Sequence, residues 1–181
     1  TYTVKDIATL LRIRQIPESE QVVSYLLTDS RKLVFPAATL FFALKGQRRD
    51  GHSFISDLYE RGVRAFVVSE PVSAEKMPDA FFLEVSDALQ ALQTLVSSHR
   101  RAFNIPVIGI TGSNGKTIVK EWLFQLLQDK YHIVRSPKSY NSQIGVPLSV
   151  WGMQPDHNLA LFEAGISQSG EMDMLKKIIL P

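Results

Sequence analysis

Val107-Ile-Gly-Ile-Thr-Gly-Ser-Asn-Gly-Lys-Thr117 decides how the rest of the chain is read. Val107 to Ile110 is apolar and short, as expected of one strand buried on both faces, and a helical apolar pattern begins directly after Thr117. A strand, a glycine-rich turn and a helix start therefore follow one another. In that arrangement the backbone N–H groups of Gly112, Ser113, Asn114 and Gly115, with those of the first helical turn, converge on one anion. Gly112 and Gly115 allow positive φ, Lys116 can set an ammonium on terminal phosphates, and the Thr117 hydroxyl can hold Mg²⁺. Ile110 stands where the common pattern G-x-x-x-x-G-K-[ST] has its first glycine, so the core motif is Thr-Gly-Ser-Asn-Gly-Lys-Thr. The helix dipole alone is worth only about 0.3–2 kcal/mol, so a nucleotide site needs the lysine, the metal and the N–H groups together.

Beyond the loop, Val119, Trp122, Leu123, Leu126 and Leu127 repeat at helical spacing and are expected to form the core face of the loop helix. Tyr131 to Val134 reads as a strand, Gly145 to Trp151 as a helix with Pro147 in its first turn, and Leu159 to Phe162 as a third strand. That third strand runs into Glu163. A carboxylate at the end of a parallel strand beside a phosphate loop is placed to ligate a nucleotide-bound Mg²⁺, although a capping or salt-bridge role is open to it as well.

Upstream, Thr3 reads as the N-cap of a helix over Val4 to Leu11, and Ile13 to Glu20 as a loop or weak hairpin. The β-prone Val22 to Leu27 leads into the turn Thr28-Asp29-Ser30-Arg31, and Thr39 to Leu44 into Lys45-Gly46. Arg31 and Lys45 are either anion contacts or solvated charges at strand ends. Gln47 to Gly51 is polar and reads as flexible; a short helix around Phe54 to Tyr59 then ends at Gly62. Strands are expected at Ala65 to Val68 and Phe81 to Val85, on either side of a loop from Pro71 to Pro78. Ser86 is the expected cap of a long helix whose last turn carries His99, Arg100 and Arg101. The alternation gives an α/β fold: a small N-terminal α/β substrate domain over residues 1–85, then a truncated P-loop parallel-sheet ATPase domain over residues 86–181.

Composition narrows the classes. Hydrophobic residues make up 45% of the 181 and charged residues 21%, which suits a globular protein, and the net charge of +2 gives no reason to expect nucleic acid or an anionic membrane as partner. The absence of cysteine removes disulfides, thiolate catalysis and cysteine-based zinc sites. No apolar run is long enough for a bilayer span, and the cytoplasm is the expected compartment. His52, His99, His132 and His157 show no metal-ligand spacing. The chain lacks an initiator Met and stops just after Ile178-Ile179-Leu180, as expected of a piece of a longer protein.

Thr28-Asp-Ser-Arg-Lys32, Leu40-Phe-Phe-Ala-Leu-Lys-Gly46 with Asp50-Gly-His52, Thr111 to Thr117, Asn141 with Ile144-Gly-Val-Pro147, and Glu163-Ala-Gly165 together resemble the Mur ligases. These are ATP-dependent amino-acid-adding enzymes of peptidoglycan synthesis. Val119-Lys-Glu121 and Ile144-Gly-Val-Pro147 look like the branch that adds D-Ala-D-Ala to a UDP-N-acetylmuramoyl-tripeptide. The resemblance implies that Ser30, Arg31, Lys45 and Gly46 meet the uridine-diphosphate end of that substrate and that Asn141 lies near the junction of nucleotide and substrate. It gives Gly112 to Thr117 to ATP, Thr117 and Glu163 to Mg²⁺, and Lys116 to charge stabilisation in catalysis. Ser139 and Ser142 stand where the family usually has asparagines, and Gln168 where it commonly has histidine. The family's carbamylated lysine, further metal-site histidine, adenine contacts and third domain would lie later, so this piece alone is expected to form no amide. A monomer is expected, and some relatives are fused to a racemase. Two other readings stand beside this one: another amide ligase of the superfamily, tripeptide-forming or polyglutamate-forming, and a nucleotide-binding module without chemistry.

Overall fold

The computed structural model describes residues 2–46 and 49–181 and divides into two compact units, Thr1–Leu95 and Val96–Pro181. In the first unit, β1 (Tyr2–Thr3) pairs antiparallel with β2 (Val22–Val23). Between them lies α1 (Val4–Leu10), closed at its start by Thr3: its hydroxyl accepts from the Asp6 N–H while the Asp6 carboxylate accepts from the Thr3 N–H. This reciprocal capping box satisfies donors that a helix start otherwise leaves to water. The main sheet of the unit is parallel, in the order β3 (Tyr25–Leu27), β4 (Thr39–Phe42), β5 (Ala65–Val68), β6 (Phe81–Glu84). The two middle strands are buried at every residue, in keeping with their unbroken apolar runs. Phe66 stacks on Phe82 and meets Phe41 edge-on, and Leu27, Ile55, Leu58 and Val63 complete the core of that face.

The β4–β5 crossover carries α2 (Ile55–Glu60), which ends at Gly62 with φ +98°. Of the expected polar connection Gln47 to Gly51, Gln47 and Arg48 lie outside the described residues. Gly51 is required where it stands, because a Cβ there would sit 2.7 Å from the Leu44 nitrogen. Residues Ala74–Lys76 form a single 3-10 turn within the expected Pro71–Pro78 loop.

The long helix α3 spans Ala88–Arg101, and the division between the two units falls within it. Its cap is Asp87, not Ser86: Asp87 Oδ1 accepts from the N–H groups of Leu89 (2.8 Å) and Gln90 (3.0 Å). A carboxylate meets the positive helix start better than a hydroxyl does.

In the second unit β7 (Val107–Ile110), β9 (Leu159–Glu163) and β8 (Ile133–Arg135) form a parallel sheet in that order. The loop helix α4 (Lys116–Leu127) connects β7 to β8, and α5 (Gly145–Trp151) precedes β9. A last helix, α6 (Glu171–Ile179), was not expected from the sequence. The Glu171 carboxylate in its first turn ties down the preceding segment by accepting from the Ser167 and Gln168 N–H groups, and Arg100 serves its end by donating to the Ile179 and Leu180 carbonyls. The expected core face of α4 is a second difference. Trp122 is 63% exposed, Leu126 76% and Val119 44%, whereas Lys120 is fully buried. In the described residues α4 packs on β9 and β7 through the side carrying Thr117 and Lys120, and no layer covers the opposite apolar side. Among the described residues no helix is long and apolar enough to cross a membrane.

Candidate active site

The parallel register pairs Ile110 with Glu163, so the loop after β7 and the carboxylate ending β9 share one sheet edge. Gly112 has φ +147° and Gly115 φ +78°, values that favour glycine, and Gly115 hands the chain to α4 in a left-handed cap. Thr111 to Gly115 are exposed. Lys116 Nζ donates to the Gly112 carbonyl at 2.6 Å, so the ammonium lies over its own loop, where an anion can receive it. From the first turn of α4, Thr117 Oγ1 reaches Glu163 Oε2 at 3.1 Å.

Glu163 is fully buried, and its position is fixed from several sides. Its backbone N–H donates to Ser136 Oγ at 3.0 Å. Its Oε1 lies 2.9 Å from Lys120 Nζ, but this ionic contact lacks hydrogen-bond direction and leaves Oε1 with no hydrogen-bond partner among the described atoms. Lys120 directs its ammonium elsewhere, to the carbonyls of Ser136 (2.7 Å) and Lys138 (2.5 Å). A buried carboxylate oxygen with unfilled acceptor capacity beside a threonine hydroxyl is a fitting donor set for a hard, oxygen-preferring cation such as Mg²⁺. The Glu163 and Thr117 oxygens are the atoms that could hold it.

Asn141 stands next to this edge. Its carbonyl accepts from the Gly165 N–H at 2.8 Å, and a Cβ on Gly165 would lie 3.1 Å from the Asn141 amide carbon, so the glycine makes room for the asparagine. Ser142, one of the departures from the family pattern, accepts from the Gly145 N–H at the start of α5.

In the first unit Ser30, Arg31, Lys45 and Gly46 all follow the C-terminal ends of adjacent strands β3 and β4, the side of a parallel sheet where ligands commonly bind. Ser30 is buried and its carbonyl accepts from Arg61. Arg31 makes two hydrogen bonds to Asp29, at 2.9 and 2.7 Å, and these hold the Asp29 carboxyl at about 2, well below its ordinary value. Lys45 pairs with Glu70, and the Gly46 N–H donates to the Arg49 carbonyl. His52 joins the same edge. Its Nε2 accepts from the Ser69 N–H at 3.1 Å, which puts the ring proton on Nδ1, facing Asp50 Oδ1 at 2.6 Å.

Two groups of side chains come together without the sequence having signalled it, Asp50–His52–Glu70 and His132–Asp156–His157. In both, ring nitrogens are already engaged: His52 as described, and His157 by accepting from the Gln154 N–H at 2.9 Å. Sequence reasoning also passed over Lys120, which it used only as part of a branch pattern. Its spacing of three from Thr117 along α4 places both on one helix side, and that signal was available.

The description Mur ligase family, catalytic domain, matches residues 23–113, and Mur ligase middle domain matches residues 110–181. The UDP-N-acetylmuramoyl-tripeptide–D-alanyl-D-alanine ligase of Bacillus subtilis is 38% identical over 181 residues, covering 99% of this chain and 39% of its own length. The ligase of the same name from Escherichia coli is 34% identical over 145 residues, covering 80% of this chain and 31% of its own. Among solved structures, the UDP-N-acetylmuramoylalanyl-D-glutamyl-2,6-diaminopimelate–D-alanyl-D-alanyl ligase of Acinetobacter baumannii superposes with a TM-score of 0.87 at 30% identity, covering 99% of this chain and 40% of that one. MurF ligase from Thermotoga maritima in complex with ADP gives 0.74 at 27% identity, over 88% of this chain and 36% of that one. The chain thus spans about two fifths of the length of such relatives. With a glycine-rich loop, a strand-end carboxylate and two family matches that meet at the loop, the chain belongs to the Mur ligase family.

Proposed function

We propose that the chain carries the uridine-nucleotide and phosphate-loop segments of an ATP-dependent ligase that joins D-Ala-D-Ala to UDP-N-acetylmuramoyl-tripeptide. The observation that carries the reading is the meeting of Thr117 and the buried Glu163 beside the Gly112–Lys116 loop. Loop N–H groups and the start of α4 would receive the ATP phosphates, and Lys116 would leave the Gly112 carbonyl to neutralise their charge. Thr117 and Glu163 would hold Mg²⁺, which when bound withdraws charge from the phosphates. Arg31, Lys45, Ser30 and Gly46 would bind the substrate's diphosphate end, and Asn141 would stand near the reacting groups. The substrate's terminal carboxylate attacks the γ-phosphate of ATP and expels ADP. The acyl phosphate so formed is attacked at its carbonyl carbon by the amine of D-Ala-D-Ala, and phosphate leaves. Chemistry of this kind asks a protein mainly to position reactants and offset charge, and the groups named do those two things.

The test is calorimetric titration of the chain with UDP-N-acetylmuramoyl-tripeptide, beside Arg31→Ala and an ATP–Mg²⁺ titration, with circular dichroism as the folding control. Saturable binding of the muramoyl peptide that Arg31→Ala abolishes is the expected result. ATP binding by a folded chain with no affinity for the muramoyl peptide would overturn the substrate assignment.

A further inference from the structure

We infer that Lys120 is a positioning residue that holds Glu163 and the Ser136–Asn141 segment in one geometry, so that the carboxylate is presented to a divalent cation. The inference rests on the reading of Thr117 and Glu163 as the cation's oxygen donors. It goes beyond that reading by giving a task to a charged side chain that touches neither nucleotide nor metal.

Lys120 is fully buried, which a lysine rarely tolerates without partners. Besides Glu121 beside it on α4, whose Oε1 lies 3.2 Å from its nitrogen, its partners come from two other chain segments. Two of its protons go to the carbonyls of Ser136 and Lys138, and its charge lies 2.9 Å from Glu163 Oε1. Ser136 closes the circuit, since its hydroxyl accepts from the Glu163 N–H and its own N–H donates to the Leu161 carbonyl on β9. Lys138 has φ +51°, a left-handed conformation costly for a residue with a side chain, and the carbonyl of this strained residue is one that Lys120 binds. Three residues further on, Asn141 contacts Gly165, two residues beyond Glu163.

The direction of the bonds decides between a filler and a positioning device. An ammonium that merely neutralised Glu163 would place its protons on the carboxylate. Here two of the three are spent on backbone carbonyls and Glu121 stands beside the nitrogen as well, so the nitrogen is anchored independently of Glu163, and Oε1 retains acceptor capacity. An outer partner that orients a metal-binding side chain commonly changes metal affinity by about 10–100-fold when removed.

The test uses the full chain and Mn²⁺ as the probe, with free Mn²⁺ followed by electron paramagnetic resonance in the presence of ADP, and ADP affinity measured separately in chelator. Lys120→Met is expected to weaken Mn²⁺ binding by about tenfold or more while metal-free ADP binding changes little. A folding defect would lower both together. In the Glu163→Gln background, where the carboxylate that Lys120 would position is already gone, adding Lys120→Met is expected to change Mn²⁺ affinity no further. This double variant also buries no unpaired carboxylate, so it keeps the comparison open if Lys120→Met alone folds poorly. Mn²⁺ affinity that is unchanged or raised in Lys120→Met would overturn the inference and leave the metal reading intact. Unchanged affinity in Glu163→Gln, or no Mn²⁺ binding by the unsubstituted chain, would overturn both.

Discussion

Thr117 Oγ1 and Glu163 Oε2 are 3.1 Å apart although 46 residues separate them, because Ile110 and Glu163 are register partners and α4 turns back over the sheet edge directly after the loop. Removing the hydroxyl while keeping the shape isolates its contribution. Thr117→Val is expected to weaken ADP binding in the presence of Mg²⁺ by about tenfold and to leave binding in chelator nearly unchanged, as paired calorimetric titrations would read. Equal losses under both conditions would mean that the hydroxyl serves the phosphates or the fold.

Lys120 and Glu163 form a buried pair, and breaking such a pair from one side costs more than removing both charges. Lys120→Met is expected to lower unfolding free energy by about 3–5 kcal/mol, and the double variant with Glu163→Gln to recover much of that loss in urea titrations. A double variant as unstable as Lys120→Met would show that the carbonyl bonds, not the charge, carry the stability.

His99 packs against Phe103 and Trp151, with ring centroids 4.9 and 4.7 Å away, and burial pushes its imidazole down from 6.5 to about 4. The unfolded chain therefore binds a proton at this site before the folded one does. The stabilisation is complete above pH 6.5 and is lost as pH falls towards 4, up to on the order of 2–3 kcal/mol. Between pH 7 and pH 4.5 the melting midpoint should fall further for the unsubstituted chain than for His99→Asn, which cannot titrate. Equal falls would refute the assignment to His99.

Gly51 and Gly115 separate two reasons for glycine. A methyl at Gly51 would lie 2.7 Å from backbone, whereas one at Gly115 meets nothing within 4 Å but must accept φ +78°. Gly51→Ala is expected to cost about 1–3 kcal/mol or more by overpacking against the Ala43 and Leu44 backbone just before Lys45. Gly115→Ala should cost about 1 kcal/mol in strain and weaken nucleotide binding by disturbing the loop. Thermal melts and ADP titrations on both check the pair; a Gly51→Ala melt matching that of the unsubstituted chain would contradict the clash.

The segments legible from sequence are those whose geometry is encoded within a few residues. Thr3 and Asp6 specify their own capping box, Pro147 falls in the first turn of α5, and Gly112 and Gly115 of the glycine-rich loop take the positive φ their positions call for. Glu163 could be singled out because the end of an apolar run fixes where a strand meets its edge. What could not be read depends on partners distant in sequence. Periodicity shows that α4 has an apolar side but not whether a layer covers it, so Trp122 and Leu126 are exposed where a core face was expected. Lys120 reads as a surface charge until the Ser136 and Lys138 carbonyls are brought to it. Helix α6 is different: Met172, Leu175, Ile178 and Ile179 stand at helical spacing, a signal that was there to be read, while the tie from the Glu171 side chain back to Ser167 and Gln168 was not.

Arg31, Lys45 and Lys116 each hold an internal acceptor: Asp29, Glu70 and the Gly112 carbonyl. A phosphate arriving at Arg31 or Lys45 displaces a carboxylate that must then collect its own mobile cation from solution. One counterion is released from the incoming anion while another is taken up, so the two nearly cancel. Binding at that sheet edge should consequently depend on ionic strength far less steeply than its count of basic residues suggests, and selectivity among anions would come from how well each replaces a carboxylate's two-point grip on a guanidinium.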